Sequence, residues 1–154
     1  MTAANASGIS DGSGSIILAS EEAVKEHGLE PLCRLASYHI SGCDPTIMGI
    51  GPVASINAAL QKAKVALSDV ERVEVNEAFA AQYLAVEKEL GLDPDKSNIH
   101  GGAIAIGHPL AASGSRITAH LSNALQEENI AGKYFIGSAC IGGGQGIAVL
   151  LESV

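Results

Sequence analysis

The chain has 154 residues, 47% hydrophobic and 17% charged, with a net charge of −8. That length suits a single domain with a real core, and the acidic balance argues against a nucleic-acid groove or an anionic membrane surface. No apolar run approaches the length of a membrane span, and the first residues lack the charge and apolar stretch of a signal or transit peptide.

In chain order, residues 5–12 are a turn-forming run leading into a short apolar strand over residues 15–19. Ser20, followed by Glu21 and Glu22, reads as the N-cap and acidic first turn of a helix ending near Gly28. Residues 32–40, after Pro31, predict the next strand, and residues 42–52 a loop. Val53, Ile56, Leu60 and Ala63 then recur at helical spacing. Residues 73–75 predict a third strand. Phe79, Tyr83, Val86 and Leu90 mark a further helix, closed by Gly91 and Pro94.

Residues 101–114 form a glycine-rich loop before a helix with Ile117, Leu121, Ala124 and Leu125 on one face. Residues 134–139 and 147–151 predict two last strands, with three glycines at 142–144 between them. The order βαβαβαββ predicts an α/β domain: a mainly parallel five-stranded sheet covered by helices. With two Phe, three Tyr and no Trp, its core must be Val, Ile, Leu and Ala. Three scattered cysteines make no disulfide framework and fit a reducing compartment.

Three segments carry polar groups that core packing does not explain. In Val75-Asn76-Glu77-Ala78-Phe79-Ala80 two polar side chains follow a buried strand. In the run from Gly101 to Pro109 a nearly featureless loop delivers one histidine, His108. In Cys140-Ile141-Gly142-Gly143-Gly144 a thiol at a strand end precedes three glycines. Each polar group falls at the C-terminal end of a strand or beyond it, the edge where open α/β sheets bind ligands. Singly, each has a plain reading: Cys140 as a small buried hydrophobe, His108 as a turn cap, Asn76 as a turn residue.

Together, in this order and spacing, the three segments resemble the C-terminal motifs of thiolases. The resemblance runs from Thr2 to Val154, with Ala6-Ser7-Gly8 and Asp11-Gly12 similar to the domain's entry motif. Met48-Gly49-Ile50-Gly51-Pro52 is similar to the substrate-side loop. Ser41-Gly42-Cys43-Asp44-Pro45 is most similar to the mitochondrial branch that serves fatty-acid oxidation. The resemblance implies a thiolase-like layered fold in which residues 1–154 are the C-terminal domain, with the nucleophile-bearing N-terminal domain and the loop domain absent from the sequence. It implies thiolytic cleavage of 3-ketoacyl-CoA by CoA to acetyl-CoA and a shortened acyl-CoA. Alternatives are Claisen condensation of two acetyl-CoA, or a non-catalytic thiolase-like protein that binds or oligomerises.

The family's roles fall on particular residues. His108 matches the histidine that activates a nucleophilic cysteine and donates to the thioester oxygen. Asn76 matches the residue that holds a water beside it. Cys140 matches the acid/base thiol that protonates the departing enolate and deprotonates incoming CoA, a task suited to a thiol whose pKa lies near neutrality. Gly142 matches a glycine whose backbone N–H binds an oxyanion. Met48 matches a substrate-pocket position.

Coenzyme A is then a substrate, with no cofactor and no metal. The implied partners are CoA thioesters, an N-terminal thiolase half and further copies in a homo-oligomer, in the mitochondrial matrix, with no nucleic acid and no membrane. No cysteine here matches the nucleophile motif, so the isolated chain is expected to be inactive. Ala111 and Ala54 depart from the glycine and proline common at those positions in relatives. Glu77 is expected to order its motif by hydrogen bonding. His27, His39 and His120 are expected to be structural, His100 to have no role, and Cys33 and Cys43 to be inert thiols.

Overall fold

In a computed structural model describing residues 1–128 and 132–154, four strands form one sheet in the order β1-β4-β3-β2. They are β1 (Arg34–Gly42), β2 (Val70–Val75), β3 (Tyr134–Ile141) and β4 (Gln145–Glu152). The helices are α1 (Glu21–His27), α2 (Gly51–Ala63), α3 (Ala80–Leu90), the single turn α4 (Ala103–Ile106) and α5 (Ser113–Glu128). α1 starts and stops where its sequence signals lie: the Ser20 hydroxyl accepts from the Ala23 N–H, and Gly28 closes it in the left-handed conformation.

The sheet is mixed rather than mainly parallel. Only β2 and β3 run parallel; β3–β4 and β1–β4 are antiparallel. The reason is the glycine turn. Ile141 pairs with Gln145, and Gly143 and Gly144 have φ of +83° and +74°, a geometry that folds β4 straight back on β3. β1 then adds to the free edge of β4.

The expected strand over residues 15–19 does not form, so four strands are found where five were expected. Those residues are exposed and unpaired among the described residues, Ile17 at 93% and Leu18 at 76%. Their composition suits a strand, but a strand needs a neighbour to accept its backbone bonds, and none reaches them here.

Helices cover both faces. On one, α2 and α3 bury Ile56, Leu60 and Val86 against Val73, Val75, Ile136, Ala148 and Leu150. On the other, α5 buries Ile117, Leu121 and Leu125 against Phe135 and Leu151. Alternation along β3, with Phe135 in one cluster and Ile136 in the other, is the period of a strand buried on both sides. The two predicted loops also contain local order: a 3₁₀ turn at Pro45–Ile50, capped by the Asp44 carboxylate, and the turn α4.

Candidate active site

β2 and β3 lie side by side and in parallel, so their C-terminal ends meet. The Asn76 N–H, one residue past β2, donates to the Ser138 carbonyl at 2.9 Å. That register sets Asn76 beside the end of β3 that carries Cys140, and the turn with Gly142 follows directly. Asn76 is only 1% exposed. Its side-chain Nδ2 lies 3.3 Å from His108 Nε2, while its Oδ1 is buried without a partner among the described residues.

His108 is held from both ring nitrogens. Its Nδ1 is 2.6 Å from the Ser113 hydroxyl, which donates to the Pro109 carbonyl at 3.2 Å. Ser113 has one proton to give. A hydroxyl donating to Pro109 must accept from Nδ1–H, and an amide nitrogen at Nε2 can only donate. Both neighbours therefore select the tautomer with its proton on Nδ1 and a lone pair on Nε2. Burial, followed by the Arg116 guanidinium, pushes the imidazole below its ordinary pKa. The ring is neutral at pH 7, with Nε2 as the basic atom.

The loop delivering His108 is fixed by Glu77 and Asn98. Asn98 adopts φ +48°, accepts from the Val75 N–H and donates to the Val75 carbonyl, both at 2.9 Å, so its amide imitates a neighbouring strand. The same Nδ2 lies 2.9 Å from Glu77 Oε1, and Glu77 Oε2 accepts from the Ile104 N–H at 3.3 Å. A Cβ on Gly102 would meet that carboxyl group and push it off these hydrogen bonds. Glu77 thus orders the motif by hydrogen bonding. From the other side, residues 5–10 lace the two loops together. Ser7 N–H donates to the Ala78 carbonyl, Ala80 N–H to Asn5, and His108 N–H to Gly8.

Cys140 is half-buried, and its thiol is pushed up chiefly by burial, with Cys43 adding to the rise and a backbone hydrogen bond opposing it. A thiol near neutrality was expected; this environment keeps it protonated, poised to donate. Cys43 belongs to the same neighbourhood, its N–H donating to the Gly144 carbonyl at 2.7 Å. Gly142 is exposed, and a Cβ added there would meet nothing within 4 Å. Met48 is half-buried on the 3₁₀ turn, which packs against α3 and β3. Asn76 and His108 are in contact; Cys140 and Gly142 fall at the same end of the sheet, on β3 and the turn after it, and Met48 on the 3₁₀ turn.

Sequence reasoning missed Ser113 and Asn98. The signal for Ser113 was its place five residues after His108 at the start of a helix. For Asn98 it was an Asn in a turn, where left-handed backbone is tolerated. The fold also brings His100, expected to have no role, to His120, expected to be structural: His100 Nδ1 lies 3.3 Å from His120 Nε2.

Residues 29–153 match the family model "Thiolase, C-terminal domain". The chain belongs to the thiolase family. It is 65% identical over 153 residues to the mitochondrial 3-ketoacyl-CoA thiolase of Bos taurus, covering 99% of this chain and 38% of that protein. It is 49% identical over 152 residues to an acetyl-CoA acetyltransferase of Escherichia coli, with the same coverage. The crystal structure of human mitochondrial 3-ketoacyl-CoA thiolase in complex with CoA superposes with a TM-score of 0.97 at 62% identity. That match spans all of this chain and 38% of the human one. The chain thus spans well under half the length of these thiolases.

Proposed function

We propose that this chain supplies the C-terminal half of a 3-ketoacyl-CoA thiolase active site, formed by residues 1–154 as one domain, with the nucleophilic cysteine contributed by an N-terminal half. The observation that carries the reading is the line Asn76–His108–Ser113. It leaves a neutral imidazole with a basic Nε2 at the sheet edge where Cys140 also stands. His108 Nε2 takes the proton of the nucleophilic thiol, which attacks the 3-keto carbonyl of the substrate. The carbon–carbon bond breaks, the acyl group stays on the nucleophile, and Cys140 protonates the leaving acetyl-CoA enolate. The Cys140 thiolate then takes the proton of incoming CoA, whose sulfur attacks the acyl thioester and releases shortened acyl-CoA.

Gly142 offers its backbone N–H to the oxyanion, and the open space beside it leaves room for close approach. Met48 lines the acyl side. Coenzyme A is a substrate, with no further cofactor or metal. The identity to the Bos taurus protein supports a mitochondrial 3-ketoacyl-CoA thiolase; fatty-acid breakdown in the matrix by a homo-oligomer is part of the same proposal. The identity to the Escherichia coli acetyltransferase supports a second reading, condensation of two acetyl-CoA by the same residues run in reverse.

The test mixes this chain with a thiolase N-terminal half, adds acyl-CoA and reads intact masses. The chain alone is expected to show no thiolysis. The mixture is expected to acylate the N-terminal half. His108→Ala should slow that step about 10²–10³-fold, the usual cost of one lost oxyanion donor or more, whereas Cys140→Ala should let the acylated half accumulate. Equal trapping of the acyl group by both variants would overturn this division of roles. Turnover of 3-ketoacyl-CoA against acetyl-CoA in the mixture separates the two readings.

A further inference from the structure

Glu74 lies on β2 two residues before Asn76. Its side chain is 4% exposed, yet among the described residues its nearest charged partner, His120 Nε2, stands at 3.6 Å, beyond hydrogen-bond range. A carboxyl this far from bulk water is costly when ionised. The same His120 Nε2 lies 3.3 Å from Nδ1 of His100, with the rings perpendicular and their centroids 5.2 Å apart. His100 is the residue immediately before the glycine loop. One ring nitrogen offers either one N–H or one lone pair, so His120 Nε2 cannot bond fully to both neighbours. In this structure His100 holds it. Among the described residues no three His, Cys, Asp or Glu side chains converge as metal ligands would. What these groups are placed to exchange is a proton.

We propose that Glu74, His120 and His100 are positioning residues, with His120 Nε2 a two-position contact that couples ionisation of Glu74 to anchoring of the loop that presents His108. With Glu74 protonated, His120 carries its proton on Nδ1, and its Nε2 accepts from His100 Nδ1–H. The chain before Gly101 is thereby pinned to α5. When Glu74 loses its proton to solvent, the carboxylate draws the His120 proton from Nδ1 to Nε2 through tautomer exchange. Nε2–H then donates to Glu74, and His100 is released.

The groups facing this contact come from three elements. Arg116 on α5 favours the carboxylate, and Glu77, beyond β2, opposes it. On His120, burial acts first, then His100 and Arg116, all disfavouring the imidazolium, while Glu127 favours it. Burial dominates at Glu74 and pushes its carboxyl up to about 7, which sets the exchange near neutral pH. The released segment continues through Gly102, against which Glu77 packs, to His108. The other side of the contact, β2, continues to Asn76. A shift between them bears on the 3.3 Å contact of Asn76 with His108.

This coupling goes beyond the reaction proposed above and is read in the chain without substrate. NMR across the neutral range, about pH 5 to about pH 9, follows the Glu74 carboxyl carbon, the ring nitrogens of His100 and His120, and the amides of residues 100–107. The expected result is a His120 proton that moves from Nδ1 to Nε2 with the same midpoint as the carboxyl, accompanied by loop shifts at that midpoint. In Glu74→Gln both changes should vanish. A loop shift that persists in Glu74→Gln overturns the proposal. Should that variant not fold, the wild-type midpoints decide: a His120 tautomer that stays fixed while Glu74 ionises overturns it equally.

Discussion

On the α2 face of the sheet, Ile56, Ala59, Val73, Val75, Ile136, Ala148 and Leu150 are all buried, and little apolar surface is left over. The α5 face is covered over β2, β3 and part of β4 but is left open towards β1. Ser37 donates its hydroxyl to the Ala59 carbonyl in α2. Its neighbours Tyr38 and, two residues on, Ile40 therefore point to the opposite face, where both are 52% exposed. Ile16, Ile17 and Leu18, outside the sheet, are also exposed. One face is a finished core, whereas the other is half a core. The difference teaches that this domain's stability rests on the α2 side, while its open side is built for apolar contact it does not supply itself.

The largest expected effect tests the finished face. Ile56→Ala should cost about 2–5 kcal/mol, the range for emptying a packed aliphatic site, read from the urea midpoint. A loss under about 1 kcal/mol, within the scatter of surface changes, would break the comparison.

The next tests the buried acid on the α5 side. Folded Glu74 keeps its proton up to about 7, against an ordinary value of 4.5. The folded state therefore binds more protons between those values. Its contribution to stability is complete below about pH 4.5 and is lost as pH rises towards 7. Glu74→Gln should be more stable than wild type by up to about 3 kcal/mol at pH 8, and nearly equal at pH 4. A difference of the same size at both pH values would refute a titrating origin.

The smallest effect sharpens the contrast. Ile40→Ser combined with Tyr38→Ser should change stability by no more than about 0.5 kcal/mol, while lowering self-association and apolar-dye binding. A loss of several kcal/mol would mean that the open face is already packed.

What could be read from sequence follows the same division. α1, α2, α3 and α5 were legible because caps and helical spacing are local properties. β3 and β4 were legible as two apolar runs separated by three glycines. Sheet direction was not: alternation of strands and helices suggested parallel pairing, but it says nothing about β1 joining β4 across the chain. Residues 15–19 have the composition of a strand, and composition cannot report a missing neighbour. At the site, Asn76, His108, Cys140 and Gly142 stood out as polar or glycine positions at strand ends. Ser113 and Asn98 did not, because their work is to fix another residue's tautomer or backbone, and that is visible only as a distance. Likewise, His100 and His120 are 20 residues apart and meet only because α5 folds back beside β2.

The lacing by residues 5–10 bears on how the molecule comes apart. These residues join the Asn76 and His108 loops by backbone bonds, yet none of their side chains is buried. Bonds of this kind, near the surface and without an apolar anchor, open at far lower free energy than a sealed core. Warming or mild denaturant would therefore unstitch this seam first. The two loops would drift apart while the sheet and α2 still held their shape. Failure would begin at the site, as a loss of alignment, well before any loss of fold.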